Sequence, residues 1–511
     1  MVNLHKGKGL MTQRIDRRSL VSRSAAIAGA AALAGSSPLL AGAQATPDAS
    51  PAASPVTSPA AAKQIDPAFA EAQDALLAQL PLEGKKLRIL SAVVGGKTPE
   101  EDELFAKEIT RLTGIEVELV HPTADYNQKL LADLAAGVQY DLIYTNQTTV
   151  QMLVGQEALT NLTDKIKGSA ILSNPTVIPT DEWTMLDIDG KYYSAFQKFE
   201  GARMITLRQD WLDKLGLETP KTLDDLYATM VALRDGDPNG DGSKPLGLGT
   251  AGTYDIQPFM SSQGVLPGYV TVDGKKTIPY ATEAAVPVYE FLAKLFKEGL
   301  YDPNFATATT ADFRNLFMTN KLSMVTYWDT WVGLFNSQVR TADPGSPFQA
   351  VGIAAAEGPD GKVIISRGSP SVWTIPANAA DPDTAFFFIE WWNTFPGITL
   401  GSLGIEGNDY TVENGVYTLT ELGKEHGMDH GDPTPYNSNW TNPIGTLPGL
   451  AEAQALSKAN GYLAVTDEKW DTEVVPILDE HIIKTIMGDF SPADGVAAMH
   501  DALLSAGLID E

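Results

Sequence analysis

The chain has 511 residues, no cysteine, and 64 acidic against 37 basic residues, a formal net charge of −27. That length suits two to three domains, each with its own core. The lack of cysteine excludes disulfides, zinc–thiolate sites, thiol catalysis and a cysteine-linked lipid anchor. The acidic surface argues against nucleic acid or an anionic membrane as a partner.

The first 43 residues read as an export signal. Arg17 and Arg18 stand before Ser19, Leu20 and Val21 in a twin-arginine arrangement, an Ala-rich apolar stretch runs from Ala25 to Leu40, and Ala41-Gly42-Ala43 is a small-x-small cleavage site. Removing this segment leaves 31 basic and 63 acidic residues, a mature charge of −32. Residues 44–65 follow as a Pro/Ala/Ser-rich linker, too poor in apolar side chains to fold. The expected location is therefore outside the cytoplasm, either extracellular at the cell surface or periplasmic.

Further along, the periodicity predicts a helix over 66–80 with Phe69, Ala72, Leu76, Leu77 and Leu80 on one face. A strand is expected at 86–93, a helix at 101–113 ended by Gly114, a strand at 115–120, a helix at 125–134 and a strand at 140–144. This β-α-β-α-β order implies a parallel sheet with helices on both faces, an α/β fold. Ligands of such sheets meet the carboxyl ends of the strands, so Thr145-Asn146-Gln147-Thr148 falls where a ligand would bind. Val94-Gly95-Gly96-Lys97 holds the same position after the first strand. Asp189-Gly190 is a hairpin turn.

The stretch from Met204 to Gly247 is the most informative. Met204–Leu207 is a short apolar strand, and Trp211, Leu212 and Leu215 share a helix face stopped by Gly216. Thr222 is an N-cap with Asp225 three residues on, opening a helix that buries Leu223, Leu226, Tyr227, Met230 and Leu233. An acidic Gly-rich loop then offers Asp237, Asn239, Asp241 and Ser243 at alternate positions.

This stretch, RQDWLDKLGLETPKTLDDL followed by DPNGDG, resembles the extracellular solute-binding proteins of ABC importers in the large carbohydrate-binding group. Residues 283–331 are similar to that family's segment before an inter-lobe crossing. GSLGIEGNDY at 401–410 resembles a signature of the subgroup with alginate-oligosaccharide-binding proteins and related lipoproteins. The likeness spans roughly residues 85–511. It implies a two-lobe, type II periplasmic-binding-protein-like fold with the ligand cleft between the lobes. It also implies a first lobe from 66–200 and 322–370, and a second from 201–321 and 371–511. The implied activity is capture of an oligosaccharide by hinge closure and delivery to an ABC permease, by a monomer and without catalysis. A secreted glycan-active enzyme, or a surface sensor or adhesion protein on the same fold, are the alternatives.

A sugar presents an apolar ring face to aromatic side chains and hydroxyls to planar polar groups. The candidate ligand contacts are Gln147, Tyr192, Tyr254, Trp328, Asp329, Trp331, Arg367, Trp373 and Glu406. Trp328-Asp329-Thr330-Trp331 combines two aromatics with a carboxylate. Arg367 could fork onto a carboxylate or vicinal diol, or make an ion pair of its own. Glu406 could accept from ligand hydroxyls or brace its glycine-rich turn. Trp391 and Trp392 end an apolar helix, so at least one is expected in the core.

Binding requires no cofactor. Alternating oxygens at Asp237, Asn239, Asp241 and Ser243 suit structural calcium, and related proteins hold calcium on such a loop. Here the pattern continues with Pro245 and Leu246 where acids are needed, and an EF-hand counted from Asp235 ends on Leu246, not Glu. A solvated turn is the competing reading. His426 and His430, four apart with Asp429 and Asp432 nearby, have metal-ligand spacing, although Gly427, Gly431 and Pro433 point to a loop.

Overall fold

The computed structural model describes residues 64–122, 126–358, 360–467 and 469–510. The signal segment and nearly all of the linker lie outside these residues. No helix among the described residues is long and apolar enough to cross a membrane.

The strands that organise the two lobes are, in chain order, β1 (Lys86–Leu90), β2 (Glu116–Val120), β3 (Leu142–Asn146), β4 (Ser194–Phe196), β5 (Arg203–Arg208), β6 (Leu246–Gly249), β7 (Leu322–Trp328), β8 (Ala350–Ile353), β9 (Ile365–Arg367), β10 (Ser371–Thr374) and β11 (Gly461–Leu463). One sheet has the order β2-β1-β3-β10-β4 and another the order β8-β5-β7-β6. In the first, β1 runs parallel to β2 and β3, with Lys86 opposite Glu116 and Ile89 opposite Leu142. β10 enters antiparallel between β3 and β4. In the second, β7 is antiparallel to β5 and parallel to β6.

Local chemistry sets the helices that feed these sheets. Thr98 caps Pro99–Thr113 in a reciprocal box with Glu101, and Gly114 ends it in the left-handed region at φ 74°. Thr222 and Asp225 form the same box at the start of Leu223–Asp235, and Gly216 stops the helix Gln209–Leu215 at φ 66°. The first expected helix is Pro67–Leu77, capped by the Asp66 carboxylate. Asp189 and Gly190 both adopt positive φ in the hairpin turn between Asp187–Ile188 and Lys191–Tyr192.

Each sheet carries its own core. Phe105, Ile109, Leu142, Phe196, Trp373, Phe388 and Trp392 fill the first. Leu207, Leu226, Met230, Leu292, Met324 and Ile482 fill the second. This partition corrects the expected lobe boundaries. Residues 322–353 belong to the second lobe, because β7 pairs with β5 from Trp328↔Arg203 to Met324↔Leu207. Residues 371–403 and Tyr436 belong to the first, because β10 lies in its sheet and Phe386–Trp392 fill its core. The chain crosses back after β9, not at Leu322.

Three segments therefore join the lobes: 197–202, 368–370, and the stretch between Tyr436 and the helix Leu450–Asn460, whose Ala453 packs with Met204. The first two meet directly, Gly368 N donating to Gly201 O at 3.1 Å.

Candidate functional site

A cleft of about 530 Å3 opens between the lobes. Its first-lobe wall is polar and comes largely from the carboxyl end of β3 and the start of the helix Gln147–Gly155: Asn146, Gln147, Thr148 and Thr149, joined by Asn127. The Asn146 carbonyl oxygen of the side chain accepts from Thr149 N at 2.8 Å and fixes this corner. Gln147 is only 4% exposed. Its Oε1 accepts from Ser194 Oγ at 3.0 Å, while its Nε2 has no partner among the described residues. A buried amide N–H left unpaired costs free energy comparable to a lost hydrogen bond. The residue lines the cavity, with this Nε2 buried just beneath the wall.

The second-lobe wall carries Gln257, Tyr280, Trp470, Asp471 and Asp479. Tyr280 OH donates to Gln257 Oε1 at 2.5 Å, which turns Gln257 Nε2 onto Val265 O. Thr253 Oγ1 donates to Asp479 Oδ1. Trp470 sits in a single π-helical turn, Trp470–Val474, at the head of the helix Val475–Met487. Its ring meets the Tyr269 ring edge-on at 5.1 Å, and Lys276 Nζ lies 3.6 Å from the Tyr269 centroid. This half-buried indole is thus held in place by a rigid aromatic and cationic stack. The cleft has the composition a sugar requires, hydroxyl partners on one wall and an aromatic plane on the other.

Arg367 stands where the crossings meet the cleft. Its guanidinium grips both Glu182 oxygens at 3.1 and 2.8 Å, and donates to Tyr436 OH and to Glu200 O. It also stacks 4.3 Å over Phe199. Burial works against its charge, but Tyr436 and Glu182 outweigh that and hold its pKa above the ordinary value. Arg367 is a strut between lobes, its donors largely committed within the protein.

The remaining expected contacts lie elsewhere. Trp373 is fully buried, edge-on to Tyr144, Phe388 and Trp392 in the first core. It stands on β10, a central strand, so both its faces are covered. Trp328 lies under Arg203 at 4.3 Å, with its ring edge so close to Gly368 that a Cβ there would clash. Trp331 packs on Tyr327 and Phe335 under Arg314. Asp329 is buried as the N-cap of the helix Thr330–Ala342, accepting from Thr330 N at 2.7 Å. Burial raises its carboxyl pKa, against hydrogen bonds from Ser457 and Thr330. Tyr192 leans on Trp183 in the first lobe. Glu406 is exposed beside the turn to Tyr410. The Tyr254 side chain lies outside the described residues, although its neighbours Thr253 and Gln257 line the cleft.

Sequence reasoning missed Trp470, Asp479 and Gln257. Trp470 carried a readable signal: an isolated tryptophan in EKWDTE, between charges and outside any apolar run, is poorly placed for a core.

The acidic loop closes on itself. Asp237, at φ 48°, accepts the amides of Gly240, Asp241 and Gly242 on one oxygen, and Asp241 accepts that of Ser243. Asn239 donates to Ser243 Oγ and to Asn320 O, and Lys214 Nζ donates to Pro238 O at 2.6 Å.

The family profile described as bacterial extracellular solute-binding protein matches residues 95–394. The chain belongs to that family. It is 24% identical over 356 residues to lipoprotein LipO of Bacillus subtilis, covering 66% of this chain and 69% of LipO. It is 27% identical over 297 residues to the polygalacturonan/rhamnogalacturonan-binding protein YtcQ of the same organism, spanning 56% of this chain and 58% of YtcQ. Among solved structures, alginate-binding protein AlgQ2 without calcium ion superposes with a TM-score of 0.61 at 20% identity, over 84% of this chain and 96% of that one. A Listeria monocytogenes substrate-binding protein in complex with cycloalternan gives 0.60 at 16%, over 83% and 99%. These likenesses confirm the two-lobe α/β architecture. YtcQ and the two solved structures are named as binding proteins, and the family is an extracellular one.

Proposed function

We propose that this solute-binding protein captures an oligosaccharide in the inter-lobe cleft and presents it to an ABC permease, with no covalent chemistry. The observation that carries this reading is the polar Asn146–Thr149 corner on one wall facing the braced Trp470 on the other, across a cavity of about 530 Å3. The relative named for polygalacturonan/rhamnogalacturonan supports the substrate class. Rotation about the three crossings would bring the walls together, and the ligand drives this by binding the closed arrangement better than the open one. Titration with a panel of neutral and acidic oligosaccharides tests the reading. Saturable one-to-one binding without new reducing ends supports it, and silence across the panel discards the carbohydrate assignment.

Calcium at 237–243 is proposed as structural only. Alternating oxygens favour it. The loop's own amide bonds, the Lys214 ammonium beside it, and Pro245 and Leu246 in place of acids limit its contribution.

A further inference from the structure

In the first lobe, away from the cleft, Asp409, His426 and His430 bring one carboxylate oxygen and two ring nitrogens within 4.8 Å of one another. All three side chains are nearly inaccessible, at 0%, 7% and 2% exposure respectively. The sequence paired the histidines with Asp429 and Asp432; the fold instead supplies Asp409, from the turn that follows Gly404. His426 Nδ1 lies 2.5 Å and His430 Nε2 3.2 Å from the same Asp409 Oδ1.

The outer contacts of each group are arranged in a particular sense. His430 Nδ1 meets Gly95 O at 3.0 Å, which fixes the proton there and leaves a lone pair on Nε2. That Nε2 is buried and faces the Asp409 carboxylate. His426 Nε2 faces Glu101 Oε1 at 3.3 Å, leaving Nδ1 to point at Asp409. Glu101 is itself held by the amides of Lys97 and Thr98 through Oε2. The second Asp409 oxygen is held by Ile405 N at 2.8 Å. Metal-bound histidines usually donate their other ring N–H to a carboxylate or a backbone carbonyl; His430 does so to Gly95 O, and His426 Nε2 faces the Glu101 carboxylate at 3.3 Å. A tetrahedral ion with bonds of about 2.0–2.1 Å keeps its ligand atoms about 3.3 Å apart, close to the His430–Asp409 separation of 3.2 Å, while the His426–Asp409 pair at 2.5 Å must open by about 0.8 Å to admit it.

We propose that His426 Nδ1, His430 Nε2 and Asp409 Oδ1 form a structural site for one zinc-class divalent cation, with Glu101 and Gly95 O as outer partners. Two imidazoles and one carboxylate suit zinc over calcium or magnesium, which prefer all-oxygen shells. Occupancy would tie three segments together: the 404–409 turn, the end of the helix Glu421–His426 with its following loop, and the Gly95–Thr98 loop after β1. It would involve neither the cleft nor the acidic 237–243 loop.

The test uses mature protein stripped with chelator and dialysed, then titrated with zinc chloride alone. The expected result is one zinc per chain, unaffected by excess calcium and retained in D241N. His430→Gln should weaken binding by more than 100-fold, and Glu101→Gln by about 10–100-fold as an outer partner. Cobalt added to the wild-type chain should give the intense visible absorption of a tetrahedral site, which requires no variant to fold. Absence of stoichiometric zinc, zinc retained unchanged in H430Q, or bound cobalt with only weak octahedral absorption would each overturn the site.

Discussion

Gly201 offers a sharp test of how the crossings are built. A Cβ placed there would lie 2.0 Å from Asp329 Oδ1 and 2.4 Å from its Cγ and Oδ2, where ordinary contacts begin at 3.4 Å. The carboxylate cannot swing away cheaply, because it caps the helix Thr330–Ala342 through Thr330 N, and Asp329 N is held by Ala202 O at 3.0 Å. Overpacking of this kind costs about 1–3 kcal/mol. Displacing the cap adds about 1 kcal/mol, so Gly201→Ala should cost about 2–4 kcal/mol in ligand-free protein. In a D329A background the same Cβ meets no carboxylate and should cost little. A double-mutant cycle, read by denaturant unfolding with circular dichroism, should therefore show a coupling of about 2–4 kcal/mol, the whole cost of the added Cβ. Additive costs, or a neutral G201A, would refute the claim that the two segments are locked against each other.

Arg367→Met strands the buried Glu182 carboxylate and should destabilise by about 3–5 kcal/mol, while R367M/E182L should recover much of that; equal melting temperatures for the single and double variants would contradict a buried pair. Burial raises the Asp329 pKa in the folded state, so its proton stabilises the fold at low pH and that contribution is lost as pH rises through the folded pKa; the melting temperature of wild type relative to D329N should climb as pH falls from neutral toward 3.8. Trp470→Ala should weaken oligosaccharide binding about 10–100-fold and also lower the melting temperature, since the ring packs on Tyr269 and the second core, whereas Trp470→Phe should keep much of both. Calcium should raise the melting temperature modestly, and D241N should abolish that shift; a melt identical in calcium and chelator removes calcium from the loop.

What the sequence made legible was local. Thr222, Asp225, Gly216 and the Asp189-Gly190 turn act through neighbours within a few residues, and each adopts its expected conformation. The position of Gln147 followed from strand order alone, because residues at the carboxyl end of a parallel strand face the crevice wherever the chain goes next. Lobe membership of 322–353 was not legible. LSMVTY is equally apolar in either sheet, and only its pairing with β5 decides. Trp373 misled for a related reason: a tryptophan beside a polar loop is core when its strand is central and sheathed on both faces. Arg367 stayed open between a ligand fork and an ion pair because its partners, Glu182 and Tyr436, stand 185 and 69 residues away. The Asp409–His426–His430 cluster was half visible, since helical spacing named the histidines but only the turn after Gly404 could supply the carboxylate.

The central claim is that the two walls close on a sugar. Calorimetric titration of the mature chain with oligosaccharides, followed by small-angle scattering of the free and saturated protein, tests it most directly. The account predicts one site per chain, a smaller radius of gyration when saturated, and loss of both in a variant lacking the Gln147 amide and the Trp470 ring. Binding that leaves the radius unchanged and survives that variant would place the ligand elsewhere and contradict the account.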